Sequence, residues 1–494
     1  MHRMNPSSKL IHPGIAIGGV KGGSGKTLFA IGLIRALMRR GFSVSPFKKG
    51  PDYIDPAWLS LASDRQCLNL DAYLMTREKI VSSYRNGVAG VDFAVVEGNR
   101  GVFDGLDIEG TYSFAELVKW LGIPLLLVLD GSKSSRTLAA LLHGCENFDR
   151  DLSISGVILN QIAGERHKKI ITESIEKYCR TPVVGAVPRL SDLPLSERHL
   201  GLIPVSEHRD PDQVLNTLGD AIENNVDIES IIKIAKTGLE INKTGYTEPS
   251  LTDAAVRENY SIIEKPESDG SSTRSNDIAV HPAIGVIKDS AFNFYYAENL
   301  AALKKNSARI VELNSILDDD IPPIDALYIG GGFPETHVEL LSKNYYFREK
   351  IKKLIDGGLP VYAECGGLIY LSDSIILNDT CFPMTGIFPF VFELSNKPVG
   401  HGYTVFEVDK ENPFYRTGVV VRGHEFRYSR IVNIGEADRV NTVFRMRRGT
   451  GIAGCRDGIL YKNCLATFSH THAYSENIQW IDSICRLAVS EKLK

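Results

Sequence analysis

The sequence predicts an α/β protein: a doubly wound unit followed by a second α/β unit. Three observations lead there. Short apolar runs alternate with helix-like stretches twice along the chain. A glycine-rich turn follows the first run, and a Ser-rich stretch without large apolar residues separates the two series. At 494 residues the chain exceeds one ordinary core, so about two or three domains are expected.

In order, the first series has strand candidates at Ile15–Gly18, Phe42–Pro46, Phe93–Val96, Leu125–Leu129, Ser155–Leu159 and Val183–Val187. Amphipathic segments such as Leu28–Arg39 and Ser113–Leu121 lie between them. This pattern predicts a mainly parallel sheet with helices on both faces. Asp210 to Lys236 reads as a helical annex. Lys265 to Asn276 is polar and Ser-rich, the composition of a linker. The second series runs through Ala283–Ile287, Arg309–Leu313, Ala326–Ile329 and Pro360–Ala363. Beyond Cys381 the pattern turns more β-like, as in Thr404–Val408 and Val419–Val421. The expected division is 12–235, a linker over 236–280, and 281–490.

A hydrophobic share of 43% and a charged share of 23% are those of a globular protein. The net charge of −4 gives no bulk attraction to nucleic acid or to anionic membranes. The first residues lack the apolar core of a secretory signal, and no apolar run reaches the length of a membrane span. A cytoplasmic protein with neither nucleic acid nor membrane as partner is expected. The eight cysteines include no CxxC pair, so neither a zinc site nor a disulfide framework is predicted.

Lys21-Gly22-Gly23-Ser24-Gly25-Lys26-Thr27 follows a strand and opens a helix. Glycines let the backbone wrap phosphates, Lys26 can reach the terminal phosphates, and Thr27 can ligate Mg²⁺. Val20 stands where the strict pattern has glycine, as in variant loops that begin with lysine and two glycines. Ligands of doubly wound sheets gather at strand C-termini, which brings in Lys48 to Pro56 and Glu97 to Gly105. Mg²⁺ prefers carboxylates and phosphate oxygens, making Asp52 and Glu97 candidate ligands beside Thr27. For Asp55 the alternative is a helix cap.

Cys365 sits in Val361-Tyr362-Ala363-Glu364-Cys365-Gly366-Gly367-Leu368, after an apolar strand and before two glycines. That context lifts a thiol onto a sharp strand-to-helix turn beside free backbone N–H groups, as in a nucleophile elbow. A thiol nucleophile needs a base distant in sequence. Phe468-Ser469-His470-Thr471-His472 offers one. Gly330-Gly331-Gly332-Phe333-Pro334-Glu335 follows a strand, so Gly331 and Gly332, with Gly366, are candidate oxyanion donors; the alternative is a tight strand exit.

These motifs, with Ala291-Phe292-Asn293-Phe294-Tyr295-Tyr296, Gly423-His424-Glu425-Phe426, Gly50-Pro51-Asp52-Tyr53-Ile54-Asp55-Pro56, Asn69-Leu70-Asp71 and Phe103-Asp104-Gly105, resemble those of cobyrinic acid a,c-diamide synthases. The match runs in the same order from about residue 14 to 475. The resemblance implies ATP-dependent amidation of the a and c side-chain carboxylates of a tetrapyrrole through an acyl phosphate, with ammonia from L-glutamine. It implies a P-loop domain similar to dethiobiotin synthetase, then a class I glutamine amidotransferase domain. ATP and Mg²⁺ are the implied cofactors. Lys21, Gly22, Gly23, Ser24, Gly25, Lys26 and Thr27 would bind ATP, and Cys365 would work with His470. Many related glutaminases carry a glutamate two residues beyond that base. His472 stands there instead, so a dyad is expected, with His472 either contacting substrate or packing.

Two departures leave the acceptor open among cobyrinate, sirohaem and nickel-sirohydrochlorin. Asn99 to Thr111 is closer to the branch that amidates sirohaem, and Arg427 stands where many members carry histidine. All three acceptors are polycarboxylate macrocycles, so Lys48, Lys49, Asp55 and Arg100 are the expected substrate contacts. Lys21 resembles the signature lysine of P-loop ATPases that position septa and plasmids, which implies a homodimer. It also gives the rival reading, a positioning ATPase or scaffold, which would have no use for Cys365 and His470.

Overall fold

The computed structural model describes residues 13–190, 197–198, 201–244, 281–434 and 440–493. In the first half, β1 (Gly14–Gly19), β2 (Val44–Lys49), β3 (Leu68–Leu70), β4 (Phe93–Glu97), β5 (Leu125–Asp130), β6 (Ile154–Ile162) and β7 (Val183–Pro188) form a 7-stranded sheet in the order β3-β2-β4-β1-β5-β6-β7. Every pairing in it is parallel. Its strands carry apolar residues to both faces because both are covered, which is why they read as continuous apolar runs. One face buries Ala94, Val96, Leu125 and Leu127, the other Ile15, Ile17, Val95 and Leu126.

Two short strands, β8 (Glu197–Arg198) and β9 (Gly201–Leu202), pair next. The annex consists of helices Pro211–Asn225 and Ile228–Thr244. The second helix therefore continues into the segment expected as linker, because its apolar residues Ile228, Ile231, Ile232 and Ala235 pack on the first half. The remainder of that segment, 245–280, lies outside the described residues.

The second half centres on a 9-stranded sheet. Its parallel part comprises β10 (Ala283–Ile287), β11 (Arg309–Leu313), β12 (Ala326–Ile329) and β13 (Val361–Glu364), with β22 (Cys464–Thr467). Next to these, β14 (Ser372–Leu377), β15 (Thr380–Pro383), β16 (Phe388–Leu394) and β19 (Ser429–Ile434) form a separate 4-stranded sheet. The large sheet closes with antiparallel β21 (Arg456–Tyr461), β20 (Thr442–Arg448), β17 (Gly400–Val408) and β18 (Val420–Arg427).

The halves meet along an apolar and aromatic seam. Tyr296, Tyr403 and Val405 pack with the core of the first half. Tyr53 stacks on Phe294 at 5.1 Å, and the Asn69 backbone N–H donates to Glu298 Oε1 at 3.1 Å. The C-terminal ends of β2 and β4 thereby face the edge of the second sheet that carries the thiol.

Candidate functional site

The phosphate-loop end of the site follows from β1 running straight into a glycine turn. Gly23 and Gly25 take left-handed φ of 71° and 88°, conformations open to residues without a Cβ. The helix Lys26–Arg39 then starts, with its first N–H groups unpaired and facing the turn. Asn160 Nδ2 on β6 donates to Ser24 O at 3.0 Å and braces the loop. The sequence offered no motif for that residue. Lys26 Nζ donates to Lys21 O at 3.0 Å; burial first, and then the charge of Lys48, hold its pKa below the ordinary lysine value. Lys21, expected among the nucleotide contacts, turns instead to Asp130 of its own chain at 3.0 Å.

A carboxylate cluster sits beside the loop. The Thr27 hydroxyl lies 2.6 Å from Glu97 Oε1 and 3.2 Å from Asp55 Oδ2. Lys48 Nζ contacts Asp55 Oδ2 and lies 2.8 Å from Glu97 Oε1 and 3.7 Å from Asp52 Oδ2. Burial opposes the Lys48 charge, yet Asp55, Glu97 and Asp52 together hold its pKa above the ordinary range. Glu97 is fully buried, and its pKa is raised because burial outweighs the attraction of Lys48.

These placements correct two expectations. Lys48 and Asp55 are held inside the cluster and are not free for an acceptor. The capping role weighed for Asp55 belongs to Asp52, whose Oδ1 accepts from the N–H groups of Ile54 and Asp55 at 3.0 and 3.1 Å.

The thiol end is built by β13. Cys365 follows it at φ 49°, ψ −98°, a strained conformation for a non-glycine residue, and caps the helix Gly366–Tyr370. Its N–H donates to Thr467 O at 2.7 Å, tying the elbow to β22. That strand delivers His470, locked by reciprocal backbone bonds with His424 at 3.0 and 2.7 Å. Their rings stack at 4.9 Å and 18°. The Cys365 thiol donates to Phe426 O at 3.8 Å, and its charge acts on His470.

An acid stands beside the expected pair without a hydrogen bond to it, for His470 Nδ1 has no partner among the described residues. Glu364, the residue before the nucleophile, places Oε2 3.7 Å from His470 Nδ1, with both side chains buried. Its carboxylate is held by the Tyr328 hydroxyl at 3.0 Å and by the Thr471 N–H and hydroxyl at 3.1 Å each. Burial opposes protonation of His470, but the neighbouring Cys365 and Glu364 raise its pKa to about 10. His472 is fully buried, its ring 4.6 Å from that of Tyr296 and its Nε2 3.5 Å from Glu298 Oε2, so it packs.

The oxyanion expectation divides. The Gly331 N–H donates to Phe294 O at 3.3 Å and is not free. The N–H groups of Gly332 and Gly366 have no acceptor among the described residues, and a Cβ on Gly366 would lie 3.0 Å from Gly332 N. Both residues lie beside Cys365, Gly366 as its chain neighbour and Gly332 packed against Gly366. Gly331 matters for space: a Cβ there would lie 2.5 Å from His470 Cε1.

Tyr53 joins the two ends. It is carried by the loop of Asp52 and Asp55, and its ring lies 5.5 Å from that of His470. Arg427 is buried, donates to Ser429 O and to Gly451 O at 2.6 Å, and lies over Phe468. No helix among the described residues is long and apolar enough to cross a membrane.

Comparison with known proteins finds two family models on the chain. Residues 15–202 match the family model described as the CobQ/CobB/MinD/ParA nucleotide binding domain. Residues 283–478 match the CobB/CobQ-like glutamine amidotransferase domain. The cobyrinate a,c-diamide synthase of Magnetococcus marinus is 38% identical over 93% of this chain and 94% of its own length. The protein of that name from Archaeoglobus fulgidus is 36% identical over 98% of both chains. A crystal structure of a glutamine amidotransferase aligns at 20% identity and a TM-score of 0.32, over 42% of this chain and 98% of that one.

Proposed function

The chain belongs to the cobyrinate a,c-diamide synthase family, and on that premise we propose that it is an ATP-dependent, glutamine-hydrolysing ligase that amidates side-chain carboxylates of a polycarboxylate tetrapyrrole. One observation carries the reading. The thiol centre and the phosphate-loop cluster face one seam, where Tyr53, carried by the loop of Asp52 and Asp55, packs against His470. We assign the ligase chemistry to 12–235 and the glutaminase to 281–490.

In the second half, Cys365 Sγ attacks the side-chain amide carbon of glutamine. The carbonyl oxygen takes up negative charge beside the N–H groups of Gly332 and Gly366. As the C–N bond breaks, His470 gives a proton to the departing ammonia, and Glu364 holds the imidazolium in place. Water then hydrolyses the thioester to glutamate.

In the first half a carboxylate is a poor acyl electrophile, so an acceptor carboxylate oxygen attacks the terminal phosphorus of ATP and displaces ADP. Ammonia attacks the resulting acyl phosphate and releases phosphate. Lys26 and the loop N–H groups steady the transferring phosphoryl charge. Thr27, Asp55 and Glu97 would hold Mg²⁺; Asp52, the carboxylate expected there from the sequence, accepts instead from the N–H groups of Ile54 and Asp55. The buried Glu97 Oε2, which has no hydrogen-bond partner, supports the fit, as do the hard oxygen donors around it. Bound there, the ion would neutralise phosphate charge. Transfer across a closed seam keeps water from the acyl phosphate.

The test is incubation with ATP, glutamine and, in turn, cobyrinate, sirohaem and nickel-sirohydrochlorin, with mass spectrometry counting carboxyls converted to amides. Cobyrinate is expected to gain two amides. No conversion of any of the three would overturn the reading.

A further inference from the structure

We propose that the β18–β17–β20 ribbon of the glutaminase half forms, with Lys49 and Arg100 of the nucleotide half, a composite rim that binds the acceptor carboxylates not undergoing reaction. The inference rests on the function proposed above and adds to it side chains from the other half of the chain.

The observation that starts it is Lys49. The residue is 5% exposed, yet its ammonium has no hydrogen bond or ion pair among the described residues. A buried charge without a partner is costly. Burial first depresses its pKa, the nearby Asp71 opposes this, and Arg100 adds to the depression. Arg100 itself sits at φ 43°, the left-handed region, where strained residues collect at ligand sites. Lys48, its neighbour, is neutralised within the carboxylate cluster, so Lys49 is the lysine of that strand end left for a ligand.

The ribbon supplies the opposite wall. Val405 is paired with Arg422 on one side and, at a bulge, with Arg448 on the other, and both guanidinium groups reach the same tyrosine ring. Their Cζ atoms lie 5.3 and 5.7 Å from the ring centroid of Tyr73, a residue of the nucleotide half. Arg422 Nη1 donates to Tyr73 O at 3.3 Å, and neither arginine forms an ion pair among the described residues. His401 lies on the same face of β17 as Val405, because strand side chains alternate, and it senses the charge of Arg100.

The acid nearest these cations, Asp71, is already engaged. It accepts from the Tyr403 hydroxyl and from the N–H groups of Tyr73 and Leu74. Asp104 also lies within range of Lys49 and accepts from the Gly101 N–H. A chain of net charge −4 thus gathers Lys49, Arg100, His401, Arg422 and Arg448 around one seam. Tyr73 and Tyr403, stacked at 4.1 Å, line it.

That combination suits a large, flat, apolar body that carries carboxylates around its edge. Guanidinium groups recognise carboxylates in a planar, bidentate manner, and several fixed carboxylates would relieve the mutual repulsion of the cations. Nucleotide phosphates are handled separately, by the loop at Lys26 and Thr27.

The test uses the full chain and two probes. One is cobyrinate in the amidation assay. The other is uroporphyrin, an octacarboxylate macrocycle whose absorption reports binding without turnover. Arg448→Gln should raise the ratio of cobyrinate KM to ATP KM by roughly tenfold and weaken uroporphyrin by a similar factor. Arg422→Lys, which keeps the charge but loses the fork, should give a smaller shift.

Cobyrinate turnover with the KM ratio unmoved in both variants would refute the rim. A rise in the ATP KM alone would refute it too, by making the arginines nucleotide contacts. Uroporphyrin binding that depends on these arginines, without amidation of any tetrapyrrole, would uphold the rim and overturn the proposed function.

Discussion

Substituting Gly331 by alanine should disable glutamine use while sparing the ligase half. The new Cβ would lie 2.5 Å from His470 Cε1, 3.2 Å from Nε2 and 3.4 Å from the Phe294 Cβ. Carbon atoms in contact sit near 3.5–4.0 Å, so the imidazole must retreat by about 1 Å. It has little room to do so. Its backbone is bonded to His424, and its ring packs against those of His424 at 4.9 Å and Tyr53 at 5.5 Å, which also pack on each other. A displacement of about 1 Å in a catalytic group costs on the order of 10²-fold in rate. The accompanying overpacking should cost about 1–3 kcal/mol, which a thermal melt would register. The backbone is no obstacle, since Gly331 lies outside the positive-φ set. The assay compares amide formation from glutamine with that from ammonium salts, which bypasses the thiol centre. Glutamine-dependent turnover should fall about 10²-fold while the ammonia-dependent rate holds within about twofold. A folded Gly331→Ala protein that retains full glutamine use would refute the steric argument and with it the placement of His470. Equal loss from both nitrogen sources would show that the damage reaches the other half.

Cys365→Ala should abolish glutamine-dependent amidation and leave ammonia-dependent amidation, whereas Lys26→Ala should remove both; steady-state rates with each nitrogen source decide it. Glu364→Gln keeps the shape and the Thr471 contacts but removes the charge that helps raise His470 to about 10. Because the imidazolium must be protonated to release ammonia, losing a pKa-raising neighbour moves the alkaline limb of the glutaminase pH profile to lower pH. An unmoved limb would deny Glu364 its role. Asn160→Ala withdraws the brace on Ser24 O, so the KM for ATP should rise roughly tenfold with no effect on glutamine hydrolysis in the absence of ATP.

Much of the scaffold was legible because strands buried on both faces leave an unmistakable record. Ala283–Ile287, Arg309–Leu313 and Ala326–Ile329 have the expected bounds. β2 was placed too early, because its C-terminal lysines look like loop residues until their carboxylate partners are known. Leu68–Leu70, an edge strand of 3 residues, is too short to show periodicity. Glu364 was in plain view beside Cys365, yet the acid was sought two residues beyond the base. Strand alternation gives no hint that a side chain of β13 meets a histidine delivered by β22. The same limit hid Asn160 and Glu298, which bond residues remote in sequence.

By itself, then, the sequence determined the two α/β units, the phosphate loop and the elbow thiol, because each rests on local chemistry: burial patterning, glycine conformations and a nucleophile at a strand end. The tertiary structure decided which carboxylates meet which cations. It turned Lys48 inward and left Lys49 without a hydrogen bond or ion pair among the described residues. It gave Asp52 the helix cap, set Glu364 behind His470, and brought Tyr53 and the arginines of β18 and β20 to a common seam. Electrostatic and packing partners are chosen by distance in space. The chain reveals that distance only once both sheets are formed and docked.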